Sequence, residues 1–179
     1  MAVTGHVVFM RAANVGGHNV FRPAQLAAAL AHLDVVNVGA AGTLLVRGRS
    51  TPGAVAREVR AHMAFEPELI VRPAREILAL VRSDPFAGVR FPNGVRGWVA
   101  ALDSAPSKRP ALPLTRPQGR PWSVRIERTT GAFALGTYRR TPAGSVFPSA
   151  VVESALGVRA TTRWWETFVR VAELIEAGP

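Results

Sequence analysis

At 179 residues, with 48% of them apolar and 19% charged, the chain has material for one domain or two small packed ones, and a disordered chain is excluded. It has no cysteine, which excludes disulfides, thiolate nucleophiles and thiolate metal ligands. The formal net charge of +10 points to anionic partners, and no apolar run approaches the roughly 20 residues needed to cross a bilayer.

In chain order, residues 3–10 read as a first strand. A loop carrying Asn14, Gly16 and Gly17 follows, and a helix opens at Arg22-Pro23, where proline is accepted in the first turn. Leu26, Leu30 and Leu33 recur at helical spacing. Strands are expected at 35–38 and 43–47, turned by Ala40-Ala41-Gly42. Thr51-Pro52 opens a second helix with Val55, Val59 and Met63 on one face, and 67–72 supplies a fourth strand. The order β-α-β-β-α-β is the ferredoxin-like pattern, in which helices cover one face of an antiparallel sheet. A third helix spans 73–81 and stops before Asp84-Pro85, because a residue preceding proline disfavours the helical region.

The second half reads as a smaller α+β subdomain. A strand is expected at 97–102, and prolines 106, 110, 113 and 117 make 104–121 an extended Pro/Arg-rich segment. Residues 123–128 and 133–138 alternate apolar and polar around Thr130-Gly131, a hairpin pattern. A C-terminal helix pair closes the chain, 149–156 ended by Gly157 and 163–177 ended by Gly178. The division expected is 1–81 and 82–179. The first twenty residues lack the basic and long apolar regions of a secretory signal, so the expected location is cytoplasmic.

Two short stretches stand out as anion sites. In the first, Arg11, Asn14, Gly16 and Gly17 sit between a strand and a helix start, where backbone N–H groups and a forked guanidinium can meet an anion. A tight turn, with one glycine at positive φ and Asn14 tied to the backbone, explains the same residues without a ligand. The second is Thr161, Thr162 and Arg163, which read as the cap and first turn of the last helix. A shared site would bring Arg11 and Arg163 to one cleft, where two guanidinium groups repel unless an anion lies between them. The four histidines have no metal-ligand spacing, and neither a nucleophile elbow nor a zinc-protease motif is present. No cofactor or metal is expected, and the sequence is nearly silent on catalysis.

Charge is uneven. Twenty-one of the twenty-two basic residues are arginine, and residues 82–140 hold a balance of +8, against +3 for 1–81 and −1 for 141–179. Within that middle, Arg116, Arg120, Arg125, Arg128, Arg139 and Arg140 are the expected nucleic-acid contacts, with Trp122, Phe133 and Tyr138 interleaved as stacking groups. A solvated face enriched in arginine by base composition is the competing reading.

Three segments together resemble a bacterial family of unknown function, DUF1697. Arg11-Ala12-Ala13-Asn14-Val15-Gly16-Gly17 is similar to its opening Arg-Gly-Ile-Asn-Val-Gly-Gly. Leu156-Gly157 followed by Thr161-Thr162-Arg163-Trp164-Trp165-Glu166-Thr167 is similar to its closing segment, and Asp84-Pro85-Phe86 to a central Asn-Pro-Phe. The chain departs from the family at Ala41 and Thr43, where a Ser-Gly-Asn is usual, and at Trp164 and Glu166, where asparagines are usual. The resemblance implies a ferredoxin-like first subdomain and a second α+β subdomain, and it implies no activity. Three functions fit: a nucleic-acid or polyanion binder, an enzyme or binder for a small phosphorylated or carboxylated metabolite, and an assembly protein that forms a homodimer. No membrane partner is expected. Charge spread over the middle third favours the first.

Overall fold

The computed structural model describes residues 4–11, 21–118, 121–141 and 146–178. Two antiparallel sheets and five α-helices organise them into two units, Met1–Pro85 with Thr167–Pro179, and Phe86–Glu166.

In the first unit, β1 (His6–Arg11), β2 (Val35–Asn37), β3 (Thr43–Val46) and β4 (Glu68–Pro73) form one sheet in the order β2-β3-β1-β4, every neighbouring pair antiparallel. Helices α1 (Pro23–Ala29) and α2 (Pro52–Ala61) connect β1 to β2 and β3 to β4. Their leucines and valines, Leu26, Leu30, Val55 and Val59, pack with Val8, Met10, Leu44 and Val46. Strand alternation turns Val7 and Phe9 the other way, and they are equally buried. There α3 (Ala74–Arg82) packs against β1 and β4, and Phe9 stacks on Phe168 with ring centroids 5.5 Å apart. The unbroken apolar run of β1 thus serves a sheet buried on both faces, where the sequence pattern accounts for one covered face. Gly42, at φ +71, combines a left-handed turn with close approach, since a Cβ there would lie 2.8 Å from the Met10 side chain.

Phe168 belongs to α5 (Trp165–Ala177), and from Thr167 that helix groups with the first unit, whereas 82–179 reads from the sequence as one subdomain. The attachment is physical: besides the Phe9 stack, Arg47 donates to the Leu174 carbonyl at 3.1 Å.

The second unit is a five-stranded antiparallel sheet, ordered β6-β7-β8-β5-β9, built from β5 (Val95–Leu102), β6 (Leu114–Arg116), β7 (Val124–Thr130), β8 (Phe133–Arg139) and β9 (Ala160–Trp164). Helix α4 (Pro148–Leu156), ended by Gly157 at φ 62, lays Val151, Val152 and Leu156 on Trp98, Ala100, Leu102, Val124 and Ile126. The proline-rich segment is extended as its sequence suggests, yet it contributes β6 to the sheet edge and packs Leu112 and Leu114 against this core.

His6, buried in β1 opposite Val46 and Pro73, has an Nδ1 without a partner among the described residues. Burial first, and the Arg75 charge second, hold its pKa below the ordinary 6.5. The fold therefore favours the neutral imidazole, so its contribution is fully present above the unfolded-state pKa and is lost as pH falls through the folded-state value. Urea midpoints should decline as pH falls below about 6.5, and His6→Gln should flatten that decline.

Candidate functional site

The β7–β8 hairpin builds the most chemically loaded surface of the second unit. Val124 and Ile126 point into the core under α4, so alternation sends Arg125 to the opposite face, where it sits across from Thr137. The register then slips: Ile126 faces Gly136 but Arg128 faces Leu135, leaving Glu127 as an extra residue. Such a bulge re-aims a side chain. Glu127, two residues on from Arg125, lies on the same face as Arg125 and Thr137. Thr137 Oγ1 donates to Glu127 Oε1 at 3.4 Å, and Arg125 Nε lies 3.2 Å from the same oxygen as an ion pair lacking hydrogen-bond alignment.

A wall rises beside these residues because Gly97 has no side chain. A Cβ at Gly97 would come within 2.9 Å of the Phe91 ring and 3.3 Å of Phe86. Phe86 is edge-on both to Phe91, at 5.5 Å, and to Trp165, at 5.3 Å. This aromatic packing seats residues 89–95 over the sheet. Trp122 closes the far side. The Arg139 guanidinium lies over its ring at 4.4 Å, and Arg139 Nε donates to the Trp122 carbonyl at 2.6 Å.

The groove has a volume of about 420 Å³. Arg90, Arg125, Arg139 and Arg140 line it, with Glu127 as its one carboxylate. Arg90 and Arg140 are exposed and engaged by no carboxylate among the described residues. Chemically this is a cationic, partly aromatic trough suited to a phosphate or carboxylate, and the Trp122–Arg139 pair adds a flat surface.

The structure gathers Arg125, Arg139 and Arg140 here, and not the other expected nucleic-acid contacts. Arg116 on β6 turns a guanidinium to the Thr115 carbonyl at 2.9 Å, and Arg128 lies beyond the bulge. Arg120 lies outside the described residues. Phe133 is buried, and Tyr138 packs against Trp164 on the α4 side, which leaves Trp122 as the groove's share of the expected stacking groups. Sequence reading missed Arg90 and the bulge at Glu127. The glycine at position 97 was the available signal for a chain segment crossing the sheet.

Of the two expected anion sites, Asn14, Gly16 and Gly17 lie outside the described residues. Arg11 forms an ion pair with Glu68, its direct cross-strand neighbour on β4, so an anion at Arg11 competes with that carboxylate. Thr161, Thr162 and Arg163 require a correction: they belong to β9, paired with Val99, Ala100 and Ala101 of β5, and do not cap a helix. Two adjacent β-branched threonines fit a pleated strand, and pairing with β5 outweighs the local capping signal. The outward N–H groups of this edge strand are met by α4: Ala160 N donates to Glu153 Oε1 at 2.9 Å and Thr162 N to Ser149 Oγ at 3.2 Å. Arg163 is buried. Its Nη1 donates to Thr161 Oγ1 at 2.9 Å and to the Thr162 carbonyl at 2.8 Å, and burial lowers its pKa to about 10, which keeps it charged at neutral pH. Trp164 and Glu166 hold Arg96 between them, with the guanidinium 4.2 Å from the Trp164 ring centroid and 3.3 Å from Glu166.

Among the described residues no His, Asp or Glu cluster gathers as a metal site would, and no helix is long and apolar enough to cross a membrane. No curated protein matches the chain. A conserved bacterial protein from Streptococcus pneumoniae, SP0830, is similar in structure at 13% identity, with a TM-score of 0.63 over 97% of this chain and 99% of that one, a likeness of fold. The model of a protein family of unknown function, DUF1697, matches residues 3–129, and the chain belongs to that family.

Proposed function

We propose that this protein is a non-catalytic nucleic-acid or polyanion-binding protein of the cytoplasm, and that the arginine groove on β7 and β8 is its binding surface. The first unit we read as ferredoxin-like, from its strand order and its two crossover helices. The observation that carries the functional reading is convergence: four arginines against one glutamate line a single open trough beside Trp122. Isolated surface arginines are common, but several drawn to one concavity raise the local potential and attract phosphate. A second reading, a small phosphorylated or carboxylated metabolite, is favoured by the volume of about 420 Å³, within the ~300–1,000 Å³ usual for small-ligand pockets.

Salt dependence separates the two. A labelled oligonucleotide should bind at low ionic strength, its affinity falling linearly on a log–log plot with a slope of about −0.7 per neutralised phosphate for a single strand and about −0.9 for duplex. Replacing Arg125 and Arg140 with glutamine should reduce the slope by about 1 for each phosphate no longer neutralised. Absence of binding at low salt, or an unchanged slope in the double variant, would overturn the polyanion reading and leave the metabolite one.

A further inference from the structure

The groove contains two kinds of arginine. Arg90 and Arg140 are exposed, so each can swing its charge toward a phosphate. Arg139 differs. It is half-buried, held over the Trp122 ring at 4.4 Å, and fixed by its 2.6 Å hydrogen bond to the Trp122 carbonyl. A guanidinium pinned this way is a poor mobile clamp but a good planar platform, since flat guanidinium and indole groups stack on nucleobases. Extra surface of this kind adds nothing to the binding of a bare polyphosphate. It does add to the binding of a chain that carries bases. The trough of about 420 Å³, lined in part by the segment from Val89 to Val95, has room for a base with its sugar.

We propose that the groove takes single-stranded nucleic acid, one nucleobase stacking on the Trp122–Arg139 pair while neighbouring phosphates meet Arg90, Arg125 and Arg140. This rests on the polyanion reading above and sharpens it, because stacking on an aromatic is tolerant of sequence and requires an unpaired base.

The test uses the full chain at one fixed salt concentration with three probes: a single-stranded oligothymidylate, a duplex of the same length, and inorganic polyphosphate of matched charge. Tryptophan fluorescence is followed, with Trp122→Phe identifying the Trp122 signal. The single strand should bind roughly 10-fold tighter than either competitor and quench Trp122. Arg139→Lys keeps the charge but removes the plane, so it should abolish the preference for the single strand. Trp122→Ala should do the same. Equal affinity for single strand and polyphosphate, preference for duplex, or a preference that survives Arg139→Lys would overturn the stacking proposal and leave the polyanion reading standing. Failure of all three probes to bind would overturn both.

Discussion

Gly136→Ala should destabilise the protein by at least about 3 kcal/mol, the upper part of the range for overpacked cores. Gly136 lies in the middle of β8, opposite Trp98 of β5 and Ile126 of β7. A Cβ built there would overlap the Arg125 carbonyl oxygen and the Trp98 indole. A long side chain at the point of collision could swing aside, but a backbone carbonyl inside a paired sheet cannot move without breaking the ladder. For a unit of this size the loss corresponds to a fall in Tm of at least about 12 °C. The carbonyl at risk belongs to Arg125, so the groove should lose affinity for polyanions at temperatures where the variant is still folded. A shift under about 1 kcal/mol by urea denaturation would mean that β8 yields more readily than its packing indicates.

Most of the secondary structure was legible because the signals were local. Thr51-Pro52 marked the start of α2, and the Thr51 side chain does accept from the Ala54 N–H. Gly157 marked the end of α4. The alternation in 123–138 gave the hairpin, since one face of it is core. The failures were all non-local. Thr161 and Thr162 carry the same hydroxyls whether they cap a helix or pair in an edge strand, and only the presence of β5 alongside decides it. Phe168 and Val171 are buried on α5, but nothing in 165–177 says that Phe168 stacks on Phe9, more than 150 positions earlier.

The candidate site divides the same way. Uneven charge pointed to the middle of the chain, and Arg125, Arg139 and Arg140 do line the groove. Charge counting could not separate them from Arg116 and Arg128, because strand pairing and place along the strand decide which arginines reach the groove. Arg90 comes from a loop whose position depends on Gly97, on a different strand. The substitutions at Trp164 and Glu166 have a structural account in their hold on Arg96. That of Ala41, exposed in a turn, has none.

Trp98→Ala should cost about 3–5 kcal/mol, the range for deleting a large buried aromatic. Trp98 is fully buried at the centre of the second core, among Ala100, Val124, Ile126, Ala134 and the α4 side chains Val152 and Leu156. Trp98→Phe should cost much less than the loss of ring volume suggests. The indole Nε1 is buried without a hydrogen-bond partner among the described residues, and a stranded donor of this kind carries a penalty of about 1–3 kcal/mol that phenylalanine removes. Because the Trp98 ring is one of the two groups a Cβ at position 136 would strike, the two sites must be coupled. In a Trp98→Ala background the ring is gone, and Gly136→Ala should cost less than it does alone. The cost that remains isolates the clash with the Arg125 carbonyl. Urea denaturation of both single variants and the double variant closes the cycle, with an expected coupling of about 1 kcal/mol or more in the compensating direction. Strict additivity would show that Trp98 does not hold β8 in place, and that the glycine is required by the Arg125 backbone alone.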